Sequence, residues 1–163
     1  MFDFRYKKHN YIYNNLVELS RNKYFYKELN LEDKLENRVV LIFAHLTIIL
    51  KLIKKQNNDI NLSQELYDNI FLNLENNIRE MGHGDVTVNK KMKDLNKIFH
   101  EILLKFIDKN EKLKPSEICK FFFKKEETDK IDEKIKDYFE KYHHFCFDII
   151  NKNMIKDLIN FKF

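Results

Sequence analysis

The sequence predicts an all-α fold: one domain, residues 1–163, of about six helices packed around a central apolar helix at about 33–55. Three observations predict it. The 163 residues include one proline and two glycines, which leaves little material for the tight turns that strand-rich folds need at short intervals. Apolar residues recur every three or four positions through most of the chain, the period of one helix face. Hydrophobic residues make up 44% of the chain and fifteen residues are Phe, enough for one sizeable core in a chain of this length. No internal repeat divides the sequence, and KKEETDK at 124–130 is a charged connection rather than a domain linker.

The first helix is expected at about 4–21, with Ile12, Tyr13, Leu16 and Val17 on one side, followed by the aromatic linker NKYFYKELN. The second opens on DKLE, where Asp33 caps and Glu36 stands at the capping-box distance. Leu35, Val39, Ile42, Leu46, Ile49 and Ile53 follow at 4-3-4-3-4 spacing, and Leu41, Phe43, Ala44, Ile48 and Leu50 fill the other faces. A helix apolar all round belongs at the centre of a bundle. A third helix starts near Asn61 or Ser63, its buried stripe running Leu66, Ile70, Leu74, Ile78, Met81. A fourth, at about 88–110, carries Met92, Leu95, Phe99, Ile102 and Phe106, with Lys90, Lys93 and Lys97 on an adjacent, wetter face. Pro115 suits the first turn of a fifth, which contains Phe121, Phe122 and Phe123. Thr128-Asp129 begins a sixth with the stripe Ile135, Tyr138, Tyr142, Phe145, Ile149, and the tail extends it or breaks near Asn151–Asn153.

Charge and composition exclude several function classes. The formal net charge is +4 and the pI about 8.8, less concentrated than a dedicated duplex-DNA binder requires. Cys119 and Cys146 form no CxxC, as expected in a reducing compartment. The start MFDFRYKKHN has no apolar signal core, so a cytosolic start is expected. The longest apolar run, VVLIFAHLTIIL, spans twelve residues, short of the roughly twenty that cross a bilayer.

Both glycines fall in REMGHGDVTVNKKMK, at 82 and 84. Gly82 follows the last stripe residue of the third helix, where a stop favours positive φ. Gly84 lets the chain turn again, and Asp85 or Thr87 caps the next helix. Glu75 and Arg79 stand at i, i+4 before the corner, and Lys90, Lys91, Lys93 and Lys97 follow it as a basic surface.

Arg38 and His45 lie two turns apart on the central helix. A buried charge needs a partner, so they are expected to form a polar network with Asp85, Glu80 and Asp68 as available acids, fold-specifying rather than catalytic. His143, His144 and Cys146 do not make a metal site: adjacent residues on a helix point about 100° apart, and zinc takes four ligands at recognisable spacing. GHGD is no phosphate loop, since G-x-x-x-x-G-K-[ST] is absent, and no Ser or Cys stands in a nucleophile setting. Phe121–Phe123 and the C-terminal aromatic stripe serve either as core or as the lining of a client groove.

From about Tyr13 to Phe106 the chain resembles the ubiquinol–cytochrome c chaperone family, the 115–163 part being divergent. Tyr13, Arg21, Phe25 and Tyr26 carry the first part of the likeness, and Asp33, Arg38 and His45 the second. The most specific part is Arg79, Glu80, Met81, Gly82, Gly84, Asp85, Val88, Lys90 and Lys93. His83 between the glycines, Asn89, and His100-Glu101-Ile102 after Phe99 depart from the family pattern. The resemblance implies a non-catalytic assembly chaperone without cofactor or metal. Its implied client is a nascent or unassembled membrane subunit, cytochrome b of ubiquinol–cytochrome c reductase in the respiratory chain. Implied partners are also the ribosome and a small helical protein; the residues themselves add that Lys90, Lys91, Lys93 and Lys97 suit anionic lipid headgroups of a membrane surface or ribosomal RNA, and the charge balance argues for no DNA. The implied location is cytoplasmic or peripheral at the inner membrane. The alternative is a helical small-molecule- or metal-binding protein, or an enzyme of that kind, with a site near Arg38, His45 and Asp85.

Overall fold

The computed structural model describes residues 9–56, 58–123 and 129–163. Within them the chain forms six α-helices: α1 (Asn10–Ser20), α2 (Leu35–Gln56), α3 (Ile60–Glu80), α4 (Asp85–Lys105), α5 (Ser116–Phe122) and α6 (Asp129–Asn151). A π-helical turn, Tyr24–Glu28, lies between α1 and α2, and a 3-10 segment, Ile155–Asn160, follows α6. No strand is present among the described residues, so the all-α bundle predicted from periodicity is what forms. Residues 4–8, Thr128 and most of KKEETDK lie outside the described residues.

The central helix is central because its sequence leaves no polar side. From Val39 to Leu50 every residue of α2 is buried, and α2 packs against each of the other five α-helices. Burying apolar surface at roughly 25 cal/mol per Å² is the main force that collects helices around such a rod. Below it the rings of Phe25, His45, Tyr138, Phe139 and Tyr142 interlock edge to face, with His45 4.7 Å from Tyr142 and Phe25 4.6 Å from Tyr138. On the α3–α4 side Phe43, Phe71, Phe99 and Tyr67 form a second aromatic cluster, Phe43 stacking on Phe71 at 5.5 Å.

The scarcity of glycine is met with asparagine. Asn30, Asn58 and Asn153 take positive φ (53°, 46° and 55°) in the breaks before α2, before α3 and after α6. Asn tolerates the left-handed region better than most residues because its short amide bonds locally. The break near Asn151–Asn153 therefore ends α6, and the tail turns back as the 3-10 segment against α1 and α6.

Several starts differ from those expected. Asp33 does not cap α2; its carboxylate takes the Arg38 guanidinium at 2.7 Å instead. The cap of α3 is Asp59, which accepts the Leu62 N–H at 2.9 Å, so the helix begins earlier than Asn61. α4 begins at Asp85 rather than 88 and ends at Lys105 rather than 110. Leu35 and Met81, expected in buried stripes, are 43% and 59% exposed, because each lies at a helix end beyond the reach of its neighbours.

Candidate functional site

The α3–α4 corner is a real break. Gly82 has φ +86° and its N–H bonds the Arg79 carbonyl at 2.9 Å, while Gly84 takes an extended conformation as the N-cap of α4. Arg79 spans the corner: its guanidinium holds Glu75 at 2.8 Å and also binds the Asp85 carboxylate in the first turn of α4. Both acids hold the guanidinium charged and push its pKa further up. Glu80 is exposed and Val88 buried, anchoring the start of α4.

Beside this corner lies an open groove of about 300 Å³. Four helix segments meet there without filling the space between them. α1 contributes Tyr13 and Val17, and the first turns of α2 contribute Leu35, Val39 and Ile42. The end of α3 adds Leu74, Ile78 and Met81, and α4 adds Leu95 and Ile98. The lining is therefore mostly apolar, with Leu35 and Met81 exposed at the mouth. Arg21, Arg38 and Lys91 stand on the rim with His83, against two carboxylates, Glu36 and Asp94. Asn77, an exposed residue at the groove, donates to the Tyr13 hydroxyl and ties α3 to α1. The volume is at the small end of the range for ligand pockets, which suits a few side chains of a segment lying across the groove.

The proposed polar network of Arg38, His45 and Asp85 is not assembled. Arg38 leaves α2 in its first turn, outside the packed part of the helix, and pairs with Asp33. Asp85 is exposed and pairs with Arg79. His45 alone is fully buried. Its Nδ1 lies 2.7 Å from the Leu41 carbonyl, an acceptor only, so Nδ1–H donates and Nε2 accepts from the Tyr138 hydroxyl at 2.8 Å. Burial holds its pKa down at about 4, opposed in part by the Leu41 hydrogen bond. The partner of the buried histidine is thus a tyrosine on α6, read from sequence only as part of an apolar stripe. The signal available was that a buried Tyr O–H needs a partner.

The lysine cluster divides. Lys91 faces the groove, whereas Lys90, Lys93 and Lys97 point to solvent on another face of α4. Phe121, Phe122 and Phe123 and the α6 stripe pack into or against the core and do not line the groove. His143 and His144 stand with ring centroids 6.2 Å apart and nearly perpendicular, and burial lowers the His143 pKa. Among the described residues no three His, Cys, Asp or Glu side chains gather as a metal site would require. Cys119 and Cys146 are buried free thiols whose pKa values burial pushes well up, the inert rather than the reactive state of cysteine.

No curated protein and no solved structure matches the chain. A family profile described as ubiquinol-cytochrome C chaperone matches residues 27–117, from the π-helical turn through α2, α3 and α4 into the start of α5. The match contains the whole glycine corner and most of the groove, but leaves out Tyr13, Arg21, Phe25 and Tyr26. It covers more than half of the sequence, and the chain belongs to the ubiquinol–cytochrome c chaperone family.

Proposed function

We propose that the protein is a non-catalytic assembly chaperone whose client is a membrane subunit of the respiratory chain, cytochrome b of ubiquinol–cytochrome c reductase. The observation that carries this reading is the open apolar groove built largely by the family-matched helices, with Leu35 and Met81 exposed at its mouth. An unassembled membrane helix exposes the apolar side chains that such a groove can cover, and helix-in-groove docking is a recurrent mode of recognition. Arg21, Arg38 and Lys91 on the rim suit a client segment flanked by acids or by a helix C-terminus, where backbone carbonyls concentrate negative charge. Arg79 holds the corner, and with it Met81 and His83, in one geometry before the client arrives. The ribosome and a small helical protein are further partners that the family suggests.

The test is a strain lacking the protein, complemented with wild type or with Leu35→Asp/Met81→Asp. Both side chains are exposed, so the double variant should fold. Cytochrome b should accumulate with wild type, fall without the protein and stay low with the variant. Normal cytochrome b and intact reductase activity in the deletion strain would overturn the proposal.

A further inference from the structure

α4 presents a face that the groove does not use. Val86, Lys90, Lys93, Lys97, His100 and Leu104 follow one another at 4-3-4-3-4 spacing, so they form one line along the helix, roughly 27 Å long at about 1.5 Å per residue. All six are exposed. The apolar residues stand at the two ends, Val86 being 86% and Leu104 74% exposed. Among the described residues, the three lysines between them meet one carboxylate, Asp94, at 3.9 Å from Lys97.

At its Leu104 end this line runs into a second depression of about 650 Å³ between α2, α3 and α4. Phe99, His100, Leu103 and Leu104 form one wall; Leu50, Lys51 and Lys54 of α2 and Ile60 and Tyr67 of α3 stand in the others. Ile60 is 72% exposed. Lys51 and Lys54 have no ion pair among the described residues, and the carboxylate beside them, Asp59, is engaged in capping α3. The result is one continuous surface with five lysines and three protruding aliphatic side chains.

We infer that this surface rests on a bilayer rich in anionic phospholipid. Charge complementarity selects the partner, since the lysines lie in the plane of the headgroup phosphates. The aliphatic residues select a membrane over a nucleic acid: Val86, Leu104 and Ile60 can enter the acyl boundary, but have no counterpart on a phosphate backbone, and the rings at the depression, Tyr67 and Phe99, are packed against Phe71 rather than presented for stacking on a base. No described helix is long and apolar enough to cross a membrane, so the contact is with the surface. This inference does not depend on the identity of the client.

Flotation of the full chain with vesicles tests it. The protein should float with vesicles of phosphatidylcholine containing phosphatidylserine and not with phosphatidylcholine alone. Lys90→Gln/Lys93→Gln/Lys97→Gln should reduce partitioning about a hundredfold, at roughly fivefold per lysine near an anionic surface. Val86→Ser/Leu104→Ser should weaken binding at unchanged charge. Circular dichroism checks that these exposed substitutions leave the fold intact. Failure to float, or equal flotation with both vesicles, would overturn the inference. So would wild-type flotation of the serine variant together with release of the protein from vesicles by homopolymeric RNA, which would make the face a phosphate-backbone reader.

Discussion

At Gly82 the backbone sits at φ +86°, a region that a Cβ disfavours, while two residues later Gly84 has φ −72° and ψ 162°. A Cβ at Gly84 would meet nothing within 4 Å, and its conformation and place are those of an ordinary N-cap. The two glycines therefore respond oppositely to substitution. Gly82→Ala should destabilise the protein by about 1–2 kcal/mol, since the left-handed φ must be kept or the corner rebuilt. Gly84→Ser should stabilise it by roughly 0.5–1 kcal/mol, by supplying a capping hydroxyl and restricting the unfolded chain. Chemical denaturation of both variants reads the two signs directly. Nothing in the fold requires glycine at 84.

At the scale of elements, the junction of α2 and α6 is set by His45 and Tyr138, and it makes stability depend on pH. The folded pKa of His45 is lowered to about 4 from 6.5, so the fold favours the neutral ring. Its contribution is fully present above pH 6.5 and is lost as pH falls toward 4, where the unfolded chain takes up a proton that the folded one refuses. The difference amounts to about 3 kcal/mol. Urea midpoints should drop between pH 7 and pH 4.5 in the wild type, and the drop should be shallower in His45→Gln. An equal slope in both would show that carboxylates alone govern acid unfolding. The central helix itself was legible because a run apolar on every side admits one position in a bundle, and the corner because Gly82 follows the end of a stripe. The partner of His45 was not, since periodicity reports burial but not which hydroxyl lies across the interface. Asp85 was misplaced for a related reason: a corner in sequence does not say which way its first acid points. Lys90, Lys93 and Lys97 were legible as one wetter face of the helix, but Lys91 was counted with them as basic surface, although the helix period sets it about 100° from Lys90 and so separates a groove residue from an outward face.

For the molecule as a whole, that separation has a functional consequence. The groove opens between α1, the start of α2, the end of α3 and the middle of α4, whereas the lysine-bearing face follows the outer side of α4 to the end of α2 and the start of α3. Tyr67 and Phe99, at the second depression, pack with Phe43 and Phe71, and Tyr67 bonds Asn96 of α4, and none of these four rings lines the groove. A chaperone built this way can rest on a membrane with one surface while another covers the apolar segment of a subunit not yet assembled. The two activities should therefore be lost independently. Leu35→Asp/Met81→Asp should lose cytochrome b on co-purification and still float with anionic vesicles. Lys90→Gln/Lys93→Gln/Lys97→Gln should stop floating and still retain client presented in detergent, because Lys91, the lysine that lines the groove, is untouched. Loss of both activities in either variant, with the fold intact by circular dichroism, would mean that client and membrane share one surface, and the division of labour across α4 would be wrong.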